Sequence, residues 1–262
     1  MKYMTSVFQK VITLFFSIIT LISSIAVFEG YGYSQELDRS EFLSSTLVSR
    51  KIAEKQLHRV YKQAGKFQTL HCGCTFDKIK QVSTNICERR NKKTLEDKNS
   101  RTLEWVSMMP EYVFGKSLKC WTKSLCVRPD GIKVKGSQCC SEVSPKYKKM
   151  ESDMHNIFPA INKLYSMEQS TNAFGGMWEY EFCPEETPAT HIKGNIARAY
   201  LYMSYQYKVS LENGLEDMLR KWHFEDPPDN WEENRNDRIE AIQGNRNPFI
   251  DHPEWVERVT NF

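Results

Sequence analysis

The chain has 262 residues, a formal net charge of +3, 40% hydrophobic residues and 12% aromatics. It is too apolar for a disordered chain, and long enough for one sizeable domain or two small ones. A balance this close to neutral excludes partner recognition by bulk charge, so the distribution of charge along the chain carries the information.

The first residues differ from the rest. Lys2 and Lys10 precede an uncharged apolar run over Val11–Phe28, with small residues near its end. This is the pattern of an export signal. Ala26, with Ser24 two positions before it, and Ser34, with Gly32 two before it, are the candidate cut sites. Residues 1–34 are therefore expected to be a signal peptide and 35–262 the mature domain. The rival is an uncleaved anchor, because an 18-residue run is borderline for spanning a bilayer. A cut after Ser34 removes Lys2, Lys10 and Glu29 and leaves the chain nearly neutral.

Cys72, Cys74, Cys87, Cys120, Cys126, Cys139, Cys140 and Cys183 all follow the apolar run. An even count behind an export signal predicts disulfides. Zinc is disfavoured because Cys72-Gly-Cys74 and the adjacent Cys139-Cys140 lack the CxxC spacing of a structural site. The pairing itself is not readable from the sequence.

Ser40–Gln63 reads as a helix through Phe42, Leu47, Ile52, Leu57 and Val60, ended by Gly65. Phe67–Phe76 reads as a short strand or extended loop held by a disulfide, and Asn91–Arg101 as a charged surface loop. Thr102–Met109 is a strand that stops at Pro110. Gly115–Ser144, with Pro129, Gly131, Gly136 and four cysteines, reads as a long stapled loop. Pro145 starts a helix over Lys146–Asn156 that Pro159 interrupts, and Ala160–Ser170 suggests a second short helix. Asn172–Trp178 is a Gly-rich turn. Gly194–Tyr207 is a helix with Ile196, Tyr200, Met203 and Tyr207 on one side. The Pro227-Pro228 break separates it from a helix over Glu232–Gln243. The expected fold is α+β, a helix-rich single domain.

Charge is segregated. Gly115–Lys149 carries Lys116, Lys119, Lys123, Arg128, Lys133, Lys135, Lys146, Lys148 and Lys149 against Asp130 and Glu142, and Glu212–Glu240 is predominantly acidic. A basic segment containing Trp121 can track a phosphate backbone. The plain alternative is a solvated loop whose charge is balanced elsewhere.

Separated motifs then stand in a particular order: Cys72-Gly-Cys74, Glu104-Trp105, Phe114-Gly115 followed by Cys120-Trp121, KMESDMHN (Lys149–Asn156), GNIARAYLYM (Gly194–Met203) and QGNRNPF (Gln243–Phe249). Together they resemble the bacterial endonuclease I family, exported nucleases with a small ββα-metal (His-Me finger) core, from about Ser44 to the end. In that family the strand segment reads like EWEHVVPAxxFG, where the second Glu holds Mg²⁺ and the His activates water. Aligning on Glu104-Trp105, Pro110 and Phe114-Gly115 puts Val106 at the ligand position and Ser107 at the general-base position. His155–Ile161 matches the start of a segment like HNLxPxxGEVN. Counting on without a gap places Tyr165 at the metal-binding Asn, with Asn162 three residues earlier as a substitute amide.

The resemblance implies a periplasmic or secreted protein that acts on DNA or RNA without sequence preference, and that uses Mg²⁺ if active. The three substitutions imply a degenerate nuclease that binds nucleic acid but hydrolyses it weakly or not at all. Ser107, Glu151 and His155 are the candidate catalytic positions, although His155 also fits a hydrogen-bonded structural role. Arg198, Lys148 and Lys149 are candidate phosphate contacts, the alternative for Arg198 being a salt bridge. The rival functions are an active endonuclease rearranged around Glu104, Glu151, Asn162 or His155, and a protein-interaction role on a retired scaffold.

Overall fold

The computed structural model describes residues 49–70, 73–77, 103–161 and 192–262, all within the unit Leu47–Phe262. The export segment, Cys72, Cys87, Cys183, Asn162, Tyr165, and the loops expected over Asn91–Arg101 and Asn172–Trp178 lie outside the described residues.

Helix α1, Arg50–Ala64, buries Ala53, Leu57, Val60 and Tyr61, the one-sided spacing of an amphipathic helix. It stops at Gly65, whose φ of 66° is left-handed and returns its N–H to the Lys62 carbonyl. Beyond it Gln68 and Thr75 form an isolated antiparallel bridge. Cys74 there is disulfide-bonded, as expected of this segment.

Strand β1, Leu103–Ser107, pairs antiparallel with β4, Ile157–Ile161, setting Trp105 opposite Pro159, Val106 opposite Phe158 and Ser107 opposite Ile157. Pro159 was expected to break a helix; instead it sits inside a strand, and Ala160 and Ile161 are strand rather than the start of another helix. The ladder explains the tolerance. The Met108 N–H donates to the Asn156 carbonyl at 2.7 Å, and by antiparallel alternation the Trp105–Pro159 pair is then a non-hydrogen-bonded one. The missing N–H of Pro159 therefore points away from β1. The outward carbonyls are used: Pro159 accepts from the Leu70 N–H at 3.1 Å and Trp105 from Arg50 at 2.6 Å.

The stretch expected as one stapled loop contains short elements: α2, Glu111–Gly115; α3, Lys119–Thr122; a hairpin of β2, Cys126–Val127, and β3, Lys133–Val134; and α4, Ser137–Val143. Its four cysteines pair as Cys120–Cys140 and Cys126–Cys139. Ser144 caps α5, Pro145–Ser152, by accepting the Tyr147 N–H. That helix ends earlier than Asn156, because the Asp153 carboxylate takes the His155 N–H and starts a separate 3-10 turn, Met154–Asn156.

Helix α6, Lys193–Tyr207, is buried continuously from Gly194 to Ser204 rather than on one side. Packing against it is α7, Asn213–Glu225, a helix absent from the sequence reading. Then come α8, Asn230–Gln243, α9, Pro248–Asp251, and α10, Trp255–Arg258. Asn247 caps α9 through the Phe249 N–H, the turn role expected of NRNPF.

The two-stranded sheet stands between two apolar clusters. One of its faces puts Leu103, Trp105 and Ile157 against α1 and Ile239. The other puts Phe158 into the larger cluster of α6, Phe114, Tyr147 and the four paired cysteines.

Candidate active-site cleft

At the exit of β1 the chain opens a cleft of about 430 Å³, lined by Arg50 and Glu54 of α1, by Glu104, Trp105, Val106 and Ser107 of β1, and by Pro110, Glu111, Tyr112 and Trp121. Alternation along the strand turns Val106 towards the Phe158 and Ala160 side and Ser107 towards α1. Gly115 shapes the far wall. A Cβ there would overlap the six-membered ring of Trp121, so the glycine lets the indole lie against the backbone. The Phe-Gly…Cys-Trp spacing thus has a packing cause.

Arg50 organises the floor. Its Nη1 donates to Ser107 Oγ at 2.7 Å and to the Glu151 carbonyl at 3.0 Å. Its Nη2 donates to the Trp105 carbonyl at 2.6 Å, and its Nε to Glu54 at 2.9 Å. Sequence reading missed this residue. It is one of several basic residues on α1, and its contact with Ser107 spans 57 positions, so no local signal marks it.

The sequence-predicted site residues separate. Ser107 and Val106 line the cleft. Glu151 is outside the lining and touches it only through Arg50, which donates to its carbonyl; its carboxylate accepts from Ser141 Oγ at 2.7 Å and is raised in pKa chiefly by desolvation. His155 is elsewhere, 1% exposed. Its Nε2 meets the Asn245 carbonyl at 3.1 Å, so Nε2 carries the proton, and Nδ1 is buried without a partner. Desolvation lowers its pKa to about 4 against the opposing charge of Asp153. Buried and outside the cleft lining, the ring is not within reach of cleft water.

Arg198 reaches no surface. Its side chain is 1% exposed and pairs with Glu232 at 2.8 and 2.5 Å, with a third bond of 2.7 Å to the Asp226 carbonyl. Expected as a candidate phosphate contact, it is spent on joining α6 to α8. Lys148 is half-buried and Lys149 exposed on α5, outside the cleft lining.

The Mg²⁺ of the resembled family needs hard oxygen ligands. Val106 supplies none, and among the described residues no group of three or more His, Cys, Asp or Glu can hold a metal ion. The described cleft does not fit that ion. It offers one guanidinium, three carboxylates and the aromatic faces of Tyr112 and Trp121.

Fold and site define a disulfide-stapled α+β protein with a polar cleft at the mouth of a two-stranded sheet. The family model for endonuclease I matches residues 43–254. An extracellular deoxyribonuclease of Aeromonas hydrophila is 30% identical over 213 residues, 76% of this chain and 87% of the relative. A periplasmic deoxyribonuclease of the same organism is 30% identical over 70% of this chain and 78% of its own. An extracellular ribonuclease of Bacillus subtilis (strain 168) is 32% identical over 41% of this chain and 46% of its own. The chain belongs to the endonuclease I family and is nuclease-like. It is a periplasmic or secreted protein, and among the described residues no helix is long and apolar enough to cross a membrane.

Proposed function

We propose that the chain is an exported nucleic-acid-binding protein on an endonuclease I scaffold with a ββα-metal core, whose metal-dependent phosphodiester hydrolysis is weak or lost. Residues 1–34 act as the signal peptide and 35–262 as the mature domain. The observation that carries this reading is the hydrogen bond from Arg50 to Ser107, beside Val106, at the mouth of β1.

Hydrolysis of this type needs a base to take a proton from water and a metal to stabilise charge on the phosphate. Ser107 accepts from a permanent cation, and its hydroxyl does not ionise near neutral pH without an adjacent base. Val106 brings no oxygen to an ion. Losing one proton-transfer group alone costs roughly 10²–10⁴-fold, and here the ligand position is lost with it. What the cleft retains is suited to contact rather than cleavage: Trp121 and Tyr112 offer rings for bases, while Arg50 is engaged with Ser107, Glu54 and two carbonyls. Lys148 and Lys149, on α5 outside the cleft lining, are the candidate phosphate contacts. Relatives named deoxyribonuclease and ribonuclease keep both DNA and RNA in range.

The test is plasmid nicking by the oxidised mature protein with Mg²⁺ and with EDTA, beside a variant carrying Val106→Glu, Ser107→His and Tyr165→Asn. Activity confined to the restored variant supports the reading. Metal-dependent nicking by the natural chain, abolished by Glu104→Ala or Glu151→Ala, overturns it.

A further inference from the structure

The cleft carries three carboxylates, Glu54, Glu104 and Glu111, against the single guanidinium of Arg50, which is itself paired to Glu54 at 2.9 Å. With that guanidinium already engaged, affinity for a polyanion draws on cations elsewhere. The β2–β3 hairpin supplies them. Val127 faces Lys133 across the ribbon, and strand alternation puts Leu125 and Lys135 on the same face. Leu125 and Val127 are 53% and 63% exposed, and both lysines are exposed. One face of the ribbon is therefore an apolar column beside a cationic column, open to solvent, while Cys126 and Val134 on its other face pack on the core. At the tip, Arg128 and Asp130 pair with each other at 2.9 Å, so the two lysines keep their charge uncompensated there.

The hairpin is fixed to the cleft wall. The Gly136 N–H donates to the Cys120 carbonyl at 3.0 Å, next to Trp121. Cys120–Cys140 and Cys126–Cys139 staple both ends of the segment. Such a ribbon is pre-ordered, so docking it costs little conformational entropy.

We propose that this hairpin is a docking ribbon for duplex DNA, with Leu125 and Val127 against base edges and Lys133 and Lys135 on phosphates. Charge complementarity selects a polyanion, and shape selects the duplex. A two-stranded ribbon fits the wide major groove of B-form DNA, where thymine methyls offer apolar contact. The deep, narrow major groove of A-form RNA does not admit it. The inference rests on the nucleic-acid-binding function proposed above and places the grip on the backbone outside the cleft.

The experiment is fluorescence anisotropy of a labelled mixed-sequence DNA duplex with the oxidised mature protein, read across a salt series. The variants are Lys133→Ser with Lys135→Ser, Leu125→Ser with Val127→Ser, and Lys221→Ser as a control on α7. Loss of two phosphate contacts is expected to flatten the log–log salt slope by about 1.8, and each hairpin variant to weaken binding about tenfold with the control unchanged. All these positions are exposed, and unchanged melting of each variant confirms intact folding. Natural protein that binds while hairpin variants bind equally well overturns the docking ribbon alone. Natural protein that fails to bind duplex at low salt overturns the nucleic-acid function and the ribbon together. If the hairpin variants lose only co-sedimentation with phosphatidylserine vesicles and keep their DNA affinity, the ribbon is a lipid contact and the proposal falls.

Discussion

Removing the carboxylate of Glu232 tests whether Arg198 is a structural strut. The guanidinium lies 1% exposed, with Nε and Nη2 on the two Glu232 oxygens and Nη1 on the Asp226 carbonyl. Glu232→Ala leaves that cation buried with a single carbonyl partner, which costs about 3–5 kcal/mol. The same carboxylate completes the capping box of α8 with Asp229, adding about 1 kcal/mol. In a domain of this size each kcal/mol moves the melting temperature by about 2–4 °C, so the oxidised variant should melt roughly 10–20 °C lower in a calorimetric scan. Pairing Arg198→Met with Glu232→Leu should recover much of the loss, since an apolar pair removes the unpaired charge. A Glu232→Ala protein that melts like the natural chain refutes the reasoning. So does Arg198→Met with unchanged melting and a tenfold loss of DNA affinity, which would make Arg198 a phosphate ligand.

Acid should unfold this protein through its buried histidines. Desolvation holds both His155 and His223 at about 4, against about 6.5 in the unfolded chain. As pH falls the unfolded state takes up protons first. The stability is thus intact above 6.5 and lost towards 4, by about 3 kcal/mol for fully buried His155. Denaturant midpoints across that range check this; His155→Gln should flatten the fall, and parallel curves would refute the assignment. Gly115→Ala should push Trp121 off the cleft wall at a cost of about 1–3 kcal/mol. Tryptophan emission should shift to the red relative to a Trp121→Phe background, and an unchanged spectrum would show that the wall can relax around a methyl group.

What was legible in the sequence was whatever local periodicity or punctuation controls. The helices over Gly194–Tyr207 and Glu232–Gln243, the stop at Gly65 and the end of β1 before Pro110 all follow from spacing and from single residues with restricted backbones. Pro159 misled because proline reads as a breaker. Only the pairing register, set by a partner strand some 50 residues away, shows that its absent N–H faces outward. Helix α7 was missed although its apolar and charged residues segregate about as well as those of α1, and α6 read as one-sided because its small Gly194, Ala197 and Ala199 hide that every side is packed. The site was half legible. Motif register identified the strand positions now lining the cleft, whereas Arg50 became visible only when tertiary contact brought α1 to Ser107.

The adjacent Cys139 and Cys140 reach two different partners, and the loop closed by Cys126–Cys139, 13 residues apart, nests inside that closed by Cys120–Cys140, 20 apart. Exchanging the two neighbours changes each loop by one residue, and loop entropy depends only logarithmically on length. Chain statistics therefore barely separate the native isomer from its swapped twin. Selection falls to the packed surroundings, where all four sulfurs are buried. A chain oxidised before it folds therefore has little entropic bias between these two isomers, and exchange between them runs through attack of a thiolate on a disulfide sulfur.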